Sequence, residues 1–192
     1  ASSPPGPPAT EVWDEYAGVW HFSDPLPPGP ADSTVGAHDA QSIDGSPAAA
    51  DGRVGGSLQF DGLDDRIGVT DPSDGSLDFG TGSFTFSAWL LSTGSVGTAD
   101  MAMSKGTTSS NPGFAFYLGT GNWEAGVRDG STSVYVPFGP EADFLGRWSF
   151  VAAVCDQQQN ILATYAHGIP ANSASISALG SLDTTSNLYF GA

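Results

Sequence analysis

Aspartates in the first third of the chain stand where carboxylate chemistry would need them. Asp24 and Asp32 lie in a proline-rich stretch, and Asp61, Asp64 and Asp65 crowd the run Asp61-Gly62-Leu63-Asp64-Asp65. Carboxylates set among turn residues suit a hard cation, because Ca2+ takes about six to eight oxygens, mixing side-chain carboxylates with loop carbonyls. The same residues also build turns, since an aspartate side chain accepts hydrogen bonds from the backbone just ahead of it. That competing reading suits Asp61 and Asp71 well. Asp71, Asp74 and Asp78 form a looser acidic group behind the first. A second constellation suits sugars: Trp123, Arg128, Asp129 and Tyr135 follow one another closely, and an aromatic face beside convergent polar groups is what a saccharide site uses. An aromatic simply left at a solvent edge competes with it.

Other chemistries find no residues. There is no Gly-x-Ser-x-Gly elbow, and His21, His38 and His167 are scattered, so neither a nucleophilic triad nor a zinc site is expected. Lys105-Gly106 lacks the upstream glycines of a phosphate loop. Glycosidases need paired carboxylates across the scissile bond. The only glutamates are Glu11, Glu15, Glu124 and Glu141, and none stands two residues from an aspartate within a predicted strand. No catalysis is expected.

The charge balance narrows the partners. Five Lys and Arg face 21 Asp and Glu, a net charge of −16. Nucleic acid demands a basic footprint, and anionic lipid surfaces attract basic segments, so neither is an expected partner. The excess acid either binds cations or acts as solubilising charge. No apolar run approaches the roughly 20 residues that span a bilayer. The single cysteine, Cys155, sits in the apolar Val-Cys-Asp context of a strand and reads as a small buried hydrophobe.

These residues need elements to hold them, and the elements are strands. Residues 1–10 carry four prolines and read as a linker in extended polyproline conformation. The aromatics of residues 12–22 suggest a first strand. In 56–91, two alternating patterns flank a Gly/Asp/Pro/Ser connection, and residues 58–70 suggest two strands turned at Asp61-Gly62. Phe84, Phe86, Ala88 and Leu90 share one face of the most hydrophobic run, which is expected at the centre of a sheet. Residues 113–119, 123–129 and 133–138 form a meander. Residues 148–156 and 161–167 pair through 157–160, with Gly168-Ile169-Pro170 ending that hairpin. A chain of 192 residues with many short strands, regular turns and no sustained helical period makes an all-β antiparallel sandwich or jelly roll.

The order of motifs carries a resemblance. GGSLQFDGLDDRIGV, SFTFSAWL, MSKG, GFAFYL, RWSFVAAVCD, TYAHGIP and LYFGA come in the order found in laminin-G-like jelly rolls of the concanavalin A-like lectin/glucanase superfamily, in their secreted bacterial and archaeal form. The resemblance implies a concanavalin A-like jelly roll over residues 11–192. It also implies an extracellular or cell-surface recognition module for carbohydrate or a protein partner, with a Ca2+ ion ordering the Asp24–Asp32 loop and core positions for Trp20, Trp89 and Trp148. There are two departures. The family's Tyr-Val-Asn-Gly turn is Tyr165-Ala166-His167-Gly168 here. The family's closing Gly-x-Ile-Asp-Glu-Val-x-Ile strand does not occur before Ala192. Either the domain continues further or a neighbouring chain supplies the strand by exchange, as in a structural subunit of a surface assembly.

Overall fold

A computed structural model of the chain describes residues 9–191 apart from 25, 28, 95–99, 107–110 and 120. Most of the expected proline-rich linker, residues 1–8, lies outside the described residues, while residues 9 and 10 open the short helix α1 (Ala9–Val12). The strands are β1 (Ser42–Asp44), β2 (Ala48–Asp51), β3 (Gly56–Gln59), β4 (Arg66–Val69), β5 (Phe84–Leu91), β6 (Met101–Lys105), β7 (Gly113–Leu118), β8 (Asn122–Arg128), β9 (Ser133–Pro140), β10 (Trp148–Asp156), β11 (Ile161–Ala166), β12 (Ile169–Ser175) and β13 (Leu188–Phe190). They form a seven-stranded sheet ordered β1-β4-β13-β6-β7-β8-β9, a four-stranded sheet ordered β12-β11-β10-β5, and the small pair β2-β3. All strand pairings are antiparallel. The fold is the expected antiparallel jelly-roll sandwich.

Cross-strand register explains the core. Residues directly opposite one another share a face, and one row across the large sheet runs Ile43, Ile67, Phe190, Met103, Phe116, Ala125, Val136. Its central residues are buried. Full burial of one such side chain contributes about 1.5–3 kcal/mol. The small sheet answers with Phe84 and Phe86, whose rings meet Phe114 at 5.3 Å and Phe116 at 4.5 Å. Cys155 is buried in this layer as expected.

One end of the sandwich is laced shut. The Thr164 hydroxyl and the Asn172 amide both donate to the Pro137 carbonyl, each at 2.9 Å, joining the small sheet to β9. The other end is filled by irregular chain. Residues 12–22 form no strand: after α1 come turns, and Trp20 makes only an isolated bridge to Asp32. The aromatic content that suggested a strand serves a plug instead. The Trp20 indole N–H donates to the His38 carbonyl at 2.9 Å, and the Trp20 and Phe22 rings lie 5.2 and 5.0 Å from Phe190.

Four further expectations change. β3 and β4 do not pair across Asp61-Gly62; β3 pairs with β2, and β4 lies between β1 and β13. β5 is not central but the edge of its sheet. The hairpin does not stop at residues 168–170, because His167 and Gly168 at φ 54° and 78° turn the chain straight into β12. Two successive residues of positive φ make the tight hairpin turn whose twist matches the strands. Trp89 and Trp148 are not core residues: they alternate onto the outer face of the small sheet, where Trp89 is 40% exposed and lies 5.4 Å from Phe150.

Candidate functional site

Asp61, Asp64 and Asp65 do converge, each offering an oxygen within 4.8 Å of the others. The turn itself makes the cluster. Asp61 Oδ1 accepts the Leu63 and Asp64 N–H groups at 2.9 and 3.3 Å, and Asp65 accepts the Asp61 N–H at 2.9 Å and the Ser46 N–H at 2.5 Å. The Leu63 N–H is the largest influence holding the Asp61 carboxyl below its ordinary range; burial opposes it, and the Asp64 and Asp65 N–H groups help. Turn-making and cation-holding therefore coexist here. Both Asp65 oxygens are engaged, whereas Asp61 Oδ2 and the Asp64 carboxylate have no hydrogen-bond partner among the described residues. That donor set suits a hard cation with a low protein ligand count and water for the rest.

Asp24 and Asp32 do not join the cluster. Asp24 accepts the Ala31 N–H at 3.0 Å. Asp32 is buried, and its two oxygens take four donors: the Val19, Thr34 and His38 N–H groups and the Thr34 hydroxyl, at 2.7–3.0 Å. Every lone pair that a metal would need is occupied. The looser acidic group holds a cation of the protein's own. Lys105 is 1% exposed, and its Nζ donates to Asp71 and Asp78, both at 2.7 Å, and to the Thr184 carbonyl at 2.8 Å. An ammonium has three donors, and all are satisfied. Asp74 caps Ser76.

The sugar constellation divides between faces. Trp123 is a correction: it is 8% exposed, in the core beside Leu118 across the β7–β8 pair. Along β8 Trp123 shares the inward parity of Ala125 and Val127, whereas Tyr135 stands opposite Gly126 on the other face. Asp129 is committed to its turn. The Thr132 N–H, then those of Gly180 and Ser131, hold its carboxyl far below the ordinary range, with the Ser131 hydroxyl adding to them. Arg128 donates to Ser133 Oγ and the Gly130 carbonyl at the β8–β9 turn. Tyr135 stands on the outer face of the seven-stranded sheet, 42% exposed.

Tyr135 has neighbours there that sequence alone did not single out. The row behind it runs Ser42, Gly68, Tyr189, Ser104, Ala115, Gly126, Tyr135. A floor of small residues thus lies between two tyrosines. The adjacent row pairs Tyr117 with Glu124, and the Tyr117 hydroxyl donates to Glu124 Oε2 at 2.5 Å. Burial first, and then this bond to a carboxylate, raise the Tyr117 pKa far above its usual value, so the phenol stays a donor and orients Glu124. Glu124 Oε1 has no hydrogen-bond partner among the described residues. The Tyr117 and Tyr135 rings meet edge to face at 5.2 Å. Across the floor, the Arg66 guanidinium sits 4.9 Å from the Tyr189 ring and Arg66 pairs with Asp44 at 2.6 Å. The signal for Glu124 and Tyr117 was period-two parity, legible once Trp123 is known to point inward.

Gly126 fixes the aromatic edge. A Cβ on Gly126 would stand 2.6 Å from two Tyr135 ring carbons, so the ring lies directly over the glycine, a pairing that compensates glycine's weakness in a strand. Gly126→Ala is expected to lift Tyr135 off the floor while costing stability only about 1 kcal/mol. Near-ultraviolet circular dichroism checks the ring, and a thermal melt checks the fold.

Comparisons with known proteins follow this geometry. No curated protein sequence matches the chain. Among solved structures, the binding domain of Paraclostridial Mosquitocidal Protein 1 superposes with a TM-score of 0.69 at 18% identity, covering 90% of this chain and 42% of that one. The receptor binding domain of botulinum neurotoxin C/D mosaic serotype gives 0.67 at 13% identity, covering 91% and 43%. The binding domain of botulinum neurotoxin DC in complex with rat synaptotagmin II gives 0.61 at 10% identity, covering 91% and 43%. The chain spans less than half the length of these structures, and at such identities the likeness is one of fold. A sequence-family model described as concanavalin A-like lectin/glucanases superfamily, of laminin-G type, matches residues 61–192, and with the register and core above it places the chain in that superfamily: this protein is a laminin-G-like member of the concanavalin A-like lectin/glucanase superfamily.

Proposed function

We propose that this chain is a non-catalytic recognition module, extracellular or on a cell surface, whose ligand lies on the outer face of the seven-stranded sheet. The observation that carries the proposal is the cluster of Tyr117, Tyr135 and Tyr189 around a row of small, buried residues, with Tyr135 42% exposed and Glu124 Oε1 without a hydrogen-bond partner among the described residues. A ring face stacks on the apolar side of a sugar, and a carboxylate accepts its hydroxyl hydrogen bonds. At a net charge of −16 the chain repels polyanions, so the class is neutral or amino sugars rather than sulfated ones. The superfamily and the receptor-binding context of several fold neighbours support binding as the role. A glycan array read beside a panel of extracellular proteins is the test. Binding of neutral glycans lost in Tyr135→Ala supports the proposal; a protein ligand indifferent to Tyr135 counts against it.

Calcium belongs to the same proposal, at the Asp61-Asp64-Asp65 loop. The ion would neutralise three clustered carboxylates and fix the chain between β3 and β4. At a calcium concentration about 100-fold above Kd, linkage adds roughly 2.7 kcal/mol, or a Tm rise of about 5–10 °C for a chain of this size. Asp64→Asn is expected to abolish that rise. A melting curve that chelator leaves unchanged removes calcium from the account without touching the tyrosine face.

A further inference from the structure

Glu124 brings a single negative charge to the tyrosine face. β7 and β9 contain no charged residue, and the charged residues of β8 are Glu124 and Arg128. Arg128 stands four residues further on, roughly 13 Å along the strand, and its guanidinium donates to Ser133 Oγ and the Gly130 carbonyl. Arg66, across the sheet, lies over Tyr189 and pairs with Asp44. Among the described residues no cation forms an ion pair with Glu124.

The carboxylate is held in place. Its Oε2 accepts the Tyr117 hydroxyl. A Cβ on Gly119 would stand 2.8 Å from the same oxygen, so the glycine is what lets the carboxylate lie against Tyr117. Oε1 is then the oxygen left to accept from a ligand. Glu124 pairs with Pro137 and Gly126 with Tyr135, which makes Tyr135 the diagonal neighbour of Glu124, about 7–8 Å away. One face of the Tyr135 ring covers Gly126, and the residue is 42% exposed, so its other face is turned outward.

We propose that this site prefers sugars carrying a free, protonated amine over their neutral and N-acetylated counterparts, with Glu124 as the residue that sets the preference. The inference rests on the sugar reading of the tyrosine face and narrows its ligand class to deacetylated amino-sugar chains. An ammonium donates to Glu124 Oε1 in a charge-assisted hydrogen bond, about twice as strong as the bond a neutral hydroxyl makes. Its charge is also attracted to the face of a tyrosine ring. N-acetylation removes that charge and adds bulk where the amine meets the carboxylate. The field of the whole chain acts in the same direction, since a net charge of −16 draws cations towards the surface.

The probes are linear trisaccharides of glucosamine, of N-acetylglucosamine and of glucose, with spermidine as a cation of equal charge that has no sugar ring. Each is titrated calorimetrically into the full chain at about 0.15 M salt, where distant charges are largely screened. The glucosamine trimer is expected to bind roughly tenfold more tightly than the glucose trimer. Glu124→Gln keeps an acceptor for the Tyr117 hydroxyl, and is expected to abolish that preference. Equal affinity for the glucosamine and glucose trimers overturns the inference, as does a preference that survives Glu124→Gln, because the total charge is then its source. Spermidine competing as well as the glucosamine trimer overturns it too, because the ligand is then any amine, a lysine side chain included. Those three results leave the reading of the tyrosine face as a ligand site standing. Binding of none of the trimers overturns both.

Discussion

Replacing Lys105 with methionine is expected to cost about 3–5 kcal/mol, the range for breaking a buried ion pair by removing one partner. In a chain of this length that lowers Tm by roughly 10 °C or more. Lys105 lies in a row with Leu188 and Phe114, so its stem is core and its ammonium emerges between Asp71 and Asp78. Methionine keeps most of the stem volume, and the loss therefore comes from two partly buried carboxylates left facing each other and from the orphaned Thr184 carbonyl. Chemical denaturation measures it. The control is the triple variant with Asp71→Asn and Asp78→Asn, which removes the repulsion and is expected to be more stable than Lys105→Met alone. If the triple variant is less stable still, the ammonium's role is not electrostatic.

The second large effect is at Asp32. Asp32→Ala removes the acceptor of four donors and is expected to cost about 3 kcal/mol, since each unsatisfied buried N–H costs about 1–3 kcal/mol and some regain water in the opened loop. The damage spreads, because this loop sets the His38 carbonyl that holds the Trp20 indole. Burial pushes the Asp32 carboxyl up, but the Val19, Thr34 and His38 donors prevail and hold it below the ordinary 3.8. A depressed folded pKa means a contribution present in full above the unfolded pKa and lost as pH falls through the folded one. The wild type is therefore expected to lose stability as pH falls below the ordinary carboxylate value of 3.8 by more than Asp32→Asn does. Parallel slopes for the two proteins over that range would show that Asp32 is not the group responsible.

Much of this architecture was legible because alternation is local. The meander of β7–β9 and the β10–β11 hairpin follow from period-two patterns and turn residues. What failed depended on distant chain. Asp61-Gly62 looks like a hairpin turn, yet β4 is claimed by β13, more than a hundred residues on, and by β1. The resemblance implies core positions for Trp89 and Trp148; β5 and β10 carry apolar residues on both faces, and the sequence does not say which face meets the other sheet. Trp123 points inward with Ala125 and Val127, and alternation along β8 does not by itself say which of its two faces meets the core. Among the acidic residues, the local cluster Asp61-Asp64-Asp65 was readable from spacing, whereas the capture of Asp71 and Asp78 by Lys105 joins residues from separate elements.

The central claim is that ligand lies on the tyrosine-edged floor of the large sheet. Amide NMR spectra of the labelled chain, titrated with the best neutral glycan from the array, test it most directly. The account predicts shifts confined to β7, β8 and β9 around Tyr117, Glu124, Gly126 and Tyr135, saturating in the wild type and absent in Tyr135→Ala. Saturable shifts at the loops, with these strands unmoved, would contradict it.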